Sequence, residues 1–279
     1  MKVAVYTNKY KDKDLAVTHK ILSAFSERGV SVAVTDELKG EIDCEEYFSL
    51  DCPKKYDFMI TAGGDGTVLK VAKVCAEYDI PVMGINLGHV GFLAEEEPEK
   101  LCGAIAALMD GNYTLESRTL LRADVSGKSY SALNDVVVSR LSQSRILETD
   151  VYVNGEFADR FHSDGFIVAT PTGSTAYSLS AGGSILCPGV GAFILTPINS
   201  HSLHSRPLVV SEKDCVTIKP RGECSLVVDG IERARLKGDS VRVVKNEDTV
   251  KFVRLSEHGF YGKLLRKLNK WSVTDEEGQ

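Results

Sequence analysis

A glycine loop between an apolar strand and an amphipathic helix is the sequence feature that most restricts the fold of this chain. Residues 58–62 form an apolar run that predicts a strand, and residues 67–78 carry apolar side chains at helical spacing. The loop that joins them consists of Gly63, Gly64, Asp65, Gly66 and Thr67. Without Cβ atoms, the backbone N–H groups of such a loop can approach a ligand closely, and a helix N-terminus attracts phosphate. The segment therefore predicts a β–loop–α unit that cradles phosphate groups.

Asp65 is the unusual residue of this loop, because a carboxylate repels the phosphates that its neighbours would bind. Two interpretations are open from this segment alone: Asp65 accepts a proton or holds a cation beside a phosphate, or it only caps the following helix. The chain has no Gly-x-x-x-x-Gly-Lys-Ser/Thr segment, which argues against a P-loop NTPase. The loop also lacks the Gly-x-Gly-x-x-Gly spacing of the dinucleotide fingerprint.

Composition narrows the class of protein. With 279 residues, 43% of them hydrophobic and 26% charged, the chain resembles an average soluble protein, and its net charge of −6 argues against nucleic-acid partners. No apolar run reaches 18 residues, so we expect no membrane span, no signal peptide and a cytoplasmic location. Seven cysteines without a Cys-x-x-Cys pair predict reduced thiols. His201 and His204 lack a nearby third ligand, so no metal site formed by protein side chains alone is predicted.

The order of the predicted elements indicates two domains of different class. Strands over residues 2–7, 30–35, 58–62 and 81–86 alternate with helices over 12–28, 67–78 and 98–110. This alternation predicts an α/β domain with a Rossmann-like parallel sheet over residues 1–115. Short β-rich runs then follow one another, and they predict an all-β, antiparallel C-terminal domain over residues 116–259. A helix at about 260–271 is expected to pack back on the first domain.

Two shorter features belong to this organisation. Asn154-Gly155 between two apolar runs predicts a type I′ hairpin. The many short strands of the second half would leave sheet edges that need covering, and residues 191–195 are apolar with little charge nearby. The uncovered sheet edges and the apolar segment both favour self-association, as a dimer or tetramer.

Three further segments carry residues suited to binding. The loop at residues 86–93 follows a predicted strand, and its Phe92 would either lie against a base or belong to the core. Asn134 and Asp135 interrupt an apolar strand, where they would grip a nucleoside or project into water at a bulge or edge. Residues 163–180 contain a strand, a polar turn and a helix beginning near Ser174, which suits a pyrophosphate, and Tyr177 could stack on a ring.

Taken together, these segments resemble the NAD kinase family of the bacterial type over nearly the whole chain. The glycine loop alone would also admit phosphofructokinases and diacylglycerol or sphingosine kinases. Its combination with Asn134-Asp135, Thr-Pro-Thr-Gly-Ser-Thr-Ala-Tyr at 170–177 and His201-Ser-Leu followed by Arg206-Pro-Leu is far more specific. The resemblance implies transfer of the γ-phosphate of ATP to the adenosine 2′-hydroxyl of NAD, giving NADP, with a divalent cation such as Mg²⁺.

The resemblance also assigns roles to individual residues. It makes Asp65 the catalytic base, with Asn134 and Asp135 holding the nucleoside parts of NAD and Phe92 lining its pocket. A surrounding polar shell would consist of Arg145, His162 and Asp164. The residues expected to wrap the adenosine are Thr172, Thr175, Ala176, Tyr177, Ser178 and Ser180.

Three departures from the family pattern bear on these assignments, and two other classes stay open. Asp135 stands where many members have glutamate, and Ile231 stands where many carry a contacting glutamine. Ser163 stands where some members have glycine, which matters little. A lipid kinase of the same superfamily would need an apolar entry for an acyl chain. A non-enzymatic NAD(P) sensor would have no need for Asp65 in the loop. An assay of NADP formation separates these alternatives.

Overall fold

The structure is a computed structural model that describes residues 1–51, 56–88, 91–142, 145–255 and 259–272, with side chains of the last helix as far as residue 267. The chain divides into two compact units, one formed by Met1–Ser117 with Val250–Gln279 and the other by Arg118–Thr249. Within the described ranges, no helix has both the length and the apolar character needed to cross a bilayer.

Strands dominate the chain, and helices are concentrated in the first unit. The helices are α1 Ala16–Ser26, α2 Asp65–Glu77, α3 Leu101–Met109, α4 Tyr177–Ser180 and α5 Phe260–Ser272. The strands are β1 Lys2–Thr7, β2 Ser31–Thr35, β3 Glu46–Phe48, β4 Phe58–Gly63, β5 Val82–Asn86, β6 Thr114–Val125, β7 Lys128–Ala132, β8 Asp135–Arg140, β9 Leu147–Val153, β10 Glu156–Ser163, β11 Gly165–Ala169, β12 Ala192–Ile198, β13 Leu208–Ser211, β14 Val216–Arg221, β15 Glu223–Val228, β16 Ile231–Lys237 and β17 Val241–Arg254.

The first unit is built on a parallel sheet, as predicted. Its strands lie in the order β5-β4-β1-β2-β3, and the end of β17 joins beside β5, where Phe252 pairs with Val82. All of these pairings are parallel, so the carboxyl ends of β1, β4 and β5 lie along one edge. Gly63 at the end of β4 pairs with Asn86 at the end of β5. The loops that follow these strands therefore begin side by side.

The first helix differs from the prediction of one helix over residues 12–28. A 3₁₀ turn over Lys13–Leu15 precedes α1, and Asp14 and Leu15 adopt left-handed backbone angles with φ of 54° and 53°. The buried carboxylate of Asp12 explains this break, because it accepts hydrogen bonds from the N–H groups of Val17 and Thr18 at 2.9 and 2.8 Å. The side chain caps the helix one turn later than the apolar spacing indicates.

The second unit consists of antiparallel strands in two layers, which confirms the predicted fold class. One sheet has the order β13-β12-β11-β8-β15-β16, and the other contains strands β10, β9, β14 and the start of β17, with β6 beside β17 and β7 beside β6. Side chains alternate in β8: Val136 and Val138 enter the large core, whereas Val137 lies on the opposite face with Ile167. This opposite face positions the candidate nucleotide-binding turn.

Local turn signals were read correctly, and one surface prediction was wrong. Asn154 and Gly155 have φ of 53° and 85° and join β9 to β10, which confirms the type I′ hairpin.

The apolar segment 191–195 was expected to support association between subunits. Instead, Ala192 to Leu195 form part of β12 and are buried, with Phe193 fully inside the core of their own unit.

Candidate active site

The glycine loop has the predicted strand–loop–helix form. Gly63 ends β4, Gly64 is the N-cap of α2, and Asp65 is the first helical residue. The buried hydroxyl of Thr67 accepts the Gly64 N–H at 3.3 Å, and the Thr67 N–H donates to the Gly64 carbonyl at 2.8 Å. A Cβ atom at Gly63 would overlap the Thr67 side chain. Close packing against Thr67 therefore requires glycine at position 63.

The carboxylate of Asp65 binds the loop after β5 instead of capping its own helix. Its Oδ2 accepts the Phe92 N–H at 2.9 Å, and its Oδ1 accepts the N–H groups of Leu93 and Ala94 at 3.0 and 3.1 Å. Gly91 is fitted against the same carboxylate, because an added Cβ atom would overlap Oδ1. A carboxylate has about four acceptor positions. The described residues therefore fill three of them and leave one on Oδ2 for another donor.

An ion-pair cluster fixes Glu95, the residue that directly follows these amide donors. The Arg254 guanidinium bonds Glu95 at 2.8 Å and Glu116 at 2.6 Å, and the Lys263 ammonium reaches the same Glu95 at 2.5 Å. Only 9% of the Arg254 side chain and 11% of the Glu95 side chain are exposed. Burial, followed by the charge of Glu95, raises the pKa of Glu96. The end of β17 and helix α5 thereby hold the chain next to the Asp65 loop.

Phe92 lies beneath this same helix. Its ring is 8% exposed, its centroid lies 5.9 Å from that of Phe260, and the Lys267 ammonium lies 4.4 Å from the ring centroid. This packing agrees with the interpretation of Phe92 as a core residue, and its role in an NAD pocket stays a prediction. Residues 89 and 90 of the same loop are outside the described residues.

Asn134 and Asp135 are held in place by an aspartate that the sequence analysis did not select. The Asp229 carboxylate accepts the N–H groups of Leu133, Asn134 and Asp135 at 2.8, 2.7 and 3.2 Å. These bonds hold the backbone between the end of β7 at Ala132 and the start of β8 at Asp135, which is why the apolar run that contains Asn134 and Asp135 forms two strands. Asp229 and Gly230 both have positive φ, of 48° and 78°. The Asp-Gly pair between two strands was the available signal for this turn.

Asp135 is a buried acid rather than a solvent-facing residue at a strand edge. It is 5% exposed, and burial together with the neighbouring Asp229 carboxylate raises its pKa to about 7. Burial also raises the pKa of Asp229, although three backbone N–H groups oppose the shift. Near neutral pH, Asp135 therefore changes between a hydrogen-bond donor and an acceptor.

The raised pKa of Asp135 predicts a pH-dependent stability. A folded-state pKa above the unfolded value means that the folded protein binds the proton more tightly, so the stabilising contribution is lost as pH rises through about 7. The unsubstituted protein should lose stability from pH 4 to pH 8, whereas Asp135→Asn, which has no carboxyl group at this position, should not lose this contribution. The free energy of unfolding of the variant minus that of the unsubstituted protein should therefore increase by about 1–4 kcal/mol over this range. Urea denaturation across this range measures it. Asp248→Asn, at an exposed carboxylate, controls for the change in net charge. If both variants showed the same trend with pH, the raised pKa assigned to Asp135 would be contradicted.

The turn after β11 is bonded directly to this pair. The Thr170 N–H donates to the Asn134 carbonyl at 2.9 Å, and the Thr170 hydroxyl donates to the Leu133 carbonyl. Gly173 fits against the Asn134 backbone, because an added Cβ atom would overlap its carbonyl group. A 3₁₀ turn over Gly173–Thr175 and the short helix α4 follow, in place of the single predicted helix. The sequence-predicted segments at 134–135 and 170–173 therefore lie together.

The residues predicted to wrap an adenosine differ in exposure. Thr172 is buried and accepts a bond from the Arg118 guanidinium at 3.1 Å. Ser178 is fully buried and its hydroxyl lies 3.0 Å from that of Thr196. The Thr175 hydroxyl donates to the Thr172 carbonyl at 3.2 Å. Tyr177 is 46% exposed, so its ring is available for stacking. Ala176 is half-buried, and Ser180 is exposed.

The residues predicted as a polar shell form separate contacts. The Asp164 carboxylate bonds the Arg140 guanidinium at 3.1 Å and accepts the side-chain amide of Asn199 at 3.1 Å. His162 is exposed, with its Nδ1 atom 3.9 Å from Glu148. Arg145 is also exposed, and its charge lowers the pKa of Glu223 after the larger effect of Lys237. In the part of the chain described, no three His, Cys, Asp or Glu side chains form a group that could hold a metal.

Comparison with known proteins accounts for both units. Residues 3–113 match the ATP-NAD kinase N-terminal domain, and residues 133–255 match the ATP-NAD kinase C-terminal domain. The chain is 36% identical to the NAD kinase of Thermoanaerobacter sp. strain X514 over 280 residues, which covers 96% of this chain and 99% of that protein. It is 38% identical to the NAD kinase of Natranaerobius thermophilus over 277 residues, covering 95% and 97%.

Solved structures show the same fold. Yeast NADH kinase complexed with NADH superposes with a TM-score of 0.85 at 26% identity, covering 99% of this chain and 88% of the yeast chain. An NAD kinase from Archaeoglobus fulgidus in complex with ATP gives a TM-score of 0.77 at 27% identity, covering 95% and 99%.

Proposed function

The chain belongs to the NAD kinase family, and we propose that it transfers the γ-phosphate of ATP to the 2′-hydroxyl of the adenosine ribose of NAD, giving NADP. The observation that carries this proposal is the Asp65 carboxylate, which three amides hold beside the glycine loop and on which the described residues leave one acceptor position, at Oδ2. No observation favours a lipid kinase or a non-enzymatic sensor.

Asp65 acts as the base in this mechanism. Its Oδ2 atom receives the proton of the 2′-hydroxyl as the 2′-oxygen bonds to the γ-phosphorus and the bond from that phosphorus to the β-phosphate oxygen breaks, which releases ADP. Oδ1 stays bonded to Leu93 and Ala94 during this step. The fixed amides keep the carboxylate from rotating, which preserves its position towards the hydroxyl. The loop from Gly63 to Thr67 cradles the phosphates, and its donors are the N–H groups of Asp65 and Gly66, which as the first two helical residues have no intrahelical acceptor.

A divalent cation, with Mg²⁺ the expected one, fits a site of this composition only when substrate phosphates supply most of the ligands. The described residues include no group of three protein ligands, and Mg²⁺ in kinases is commonly held by one or two carboxylates plus phosphates. Asp65 is the carboxylate that the glycine loop itself carries, and it would be the protein ligand of such a cation. When bound, the cation neutralises charge on the phosphate chain.

Asn134 and Asp135 hold the nucleoside parts of NAD, and the turn from Thr172 to Ser180 binds the adenosine. Asp229 positions this pair through backbone N–H groups, so these bonds do not engage the side chains of Asn134 and Asp135. Exposed Tyr177 supplies a ring for stacking. Arg145, His162 and Asp164 form the outer polar contacts.

A coupled assay tests the function directly. Purified protein with NAD, ATP and Mg²⁺ is expected to form NADP, detected with an NADP-specific dehydrogenase. Parallel reactions with NADH and with polyphosphate define the acceptor and the donor. Binding of NAD without ATP-dependent turnover would support the sensor, and phosphorylation of a diacylglycerol in place of NAD would support the lipid kinase.

The proposed working form is a cytoplasmic homo-oligomer, either a dimer or a tetramer. The edge strand β13 of the second unit carries Leu208 and Val209, each 48% exposed, and a partner would cover this edge. Light scattering is expected to give a mass of at least twice 30.4 kDa. Leu208→Lys is expected to shift the protein towards monomer. A fully active monomer in the unsubstituted protein would contradict the proposal.

A further inference from the structure

Lys11 lies in the connection between β1 and α1, at the edge of the sheet that carries the glycine loop. The Asn8 N–H donates to the Ala62 carbonyl at 2.9 Å, which joins the start of this connection to the end of β4. The Lys11 ammonium lies 2.9 Å from where a Cβ atom of Gly64 would be and 3.8 Å from the corresponding point at Gly88. The charge therefore stands beside both glycine loops, after β4 and after β5.

This ammonium makes no hydrogen bond and no ion pair within the described residues. Lys9, two residues earlier in the same connection, differs in this respect, because its ammonium is paired with Glu41 at 2.9 Å. A cavity of about 590 Å³ opens beside Lys11 in the first unit. Its walls include Lys11, Lys13, Asn86, Leu87, Gly88, Asp12, Glu97 and Glu99. The Lys11 charge is thus free to meet an anion that enters here.

The backbone that carries Lys11 is fixed rather than loose. Asp12, the next residue, is 3% exposed and also accepts the Thr18 hydroxyl at 2.6 Å, and that hydroxyl lies 2.7 Å from the hydroxyl of Thr7. The N–H groups of Lys11 and Asp12 both donate to the Asn8 carbonyl. This buried polar network sets the direction in which Lys11 leaves the backbone.

We propose that Lys11 binds the phosphate chain of ATP through its ammonium group, an inference that rests on the proposed kinase function. Phosphoryl transfer needs positive charge at the donor phosphates, and P-loop enzymes supply part of it from a lysine that this chain lacks. Lysine binds phosphate as a point charge, which suits a flexible side chain beside backbone amides. Lys11 provides that charge from a different strand end.

Lys11→Ala is expected to weaken ATP binding by about 10- to 100-fold, because a charge-assisted hydrogen bond is lost. Calorimetric titration with ATP alone measures this without turnover. In steady-state assays, the KM for ATP should rise or kcat fall in the same range, whereas the KM for NAD should change less than threefold. Lys11→Arg should retain more ATP affinity than Lys11→Ala.

Lys9→Ala is the matched control, because it removes the same charge from the same connection, and its ATP affinity should stay within about twofold of the unsubstituted protein. Equal ATP affinity in Lys11→Ala and Lys9→Ala would overturn the role of Lys11. So would an equal loss of ATP and NAD affinity together with a lower melting temperature. The titration separates this proposal from the kinase assignment: absent NADP formation by the unsubstituted protein contradicts the latter, whatever the titration gives.

Discussion

Asp65→Asn is expected to lower kcat for NADP formation by about two to four orders of magnitude, because an amide cannot accept the proton of the 2′-hydroxyl. The same change disturbs the loop after β5. One amide oxygen can accept the Leu93 and Ala94 N–H groups, but the amide NH₂ then faces the Phe92 N–H. A donor facing a donor costs about 1–3 kcal/mol, so a lower melting temperature should accompany the loss.

Gly91→Ala separates the two effects of Asp65. The added methyl group would overlap Oδ1 and displace the carboxylate, while its charge and acceptor atoms remain. If the position of the base matters, kcat should fall sharply in this variant too. Gly103→Ala is the control for a glycine substitution, because the new methyl group would meet no described atom within 4 Å apart from its chain neighbours and the backbone of its own helix. A turnover number of Asp65→Asn within tenfold of the unsubstituted protein would assign Asp65 a structural role only.

Gly173→Ala is expected to raise the KM for NAD by about 10- to 100-fold and to leave the KM for ATP nearly unchanged. The new methyl group would overlap the carbonyl group of Asn134 and lie 2.7 Å from its Cα atom. That backbone cannot yield easily, because Asp229 and Thr170 both bond it. Overpacking of this kind costs about 1–3 kcal/mol, and the displacement moves the residues assigned to NAD.

Two further variants show how the KM for NAD of Gly173→Ala should be interpreted. Asn134→Ala should raise the KM for NAD without the steric change, so a similar KM in both variants points to the same binding group. Gly189→Ala, with no heavy atom within 4 Å of the added methyl group, should behave like the unsubstituted protein. An unaltered KM for NAD in Gly173→Ala would show that the turn and Asn134 do not form one binding unit.

Local sequence patterns predicted the elements well because their causes are local. The glycine loop, the Asn154-Gly155 hairpin and the alternation of strands and helices each depend on a few adjacent residues. The amide donors to Asp65 lie 27 to 29 residues away, and those to Asp229 lie 94 to 96 residues away. No periodicity encodes such pairings. They arise only when the sheet order brings distant strand ends together.

The same reason explains the residues that the sequence analysis missed. Lys11, Glu95 and Arg254 are unremarkable charged residues in their local context, and only the fold shows what surrounds them. The raised pKa of Asp135 likewise requires Asp229, which comes from another strand connection. Asn134-Asp135 was recognisable as a polar break in an apolar run, but the aspartate that causes the break was not.

The first unit is assembled from two separated stretches of the chain, and this has a consequence for protein synthesis. A ribosome releases residues in order, so the strand end beside β5 and the helix over Phe92 emerge only after all of Arg118–Thr249 has been made. Arg254 and Lys263, which clamp Glu95, are among these late residues. A nascent chain therefore carries the glycine loop early but lacks the clamp next to it until translation passes these positions. Incomplete translation products would thus contain Asp65 without the ion pairs that Arg254 and Lys263 make with Glu95.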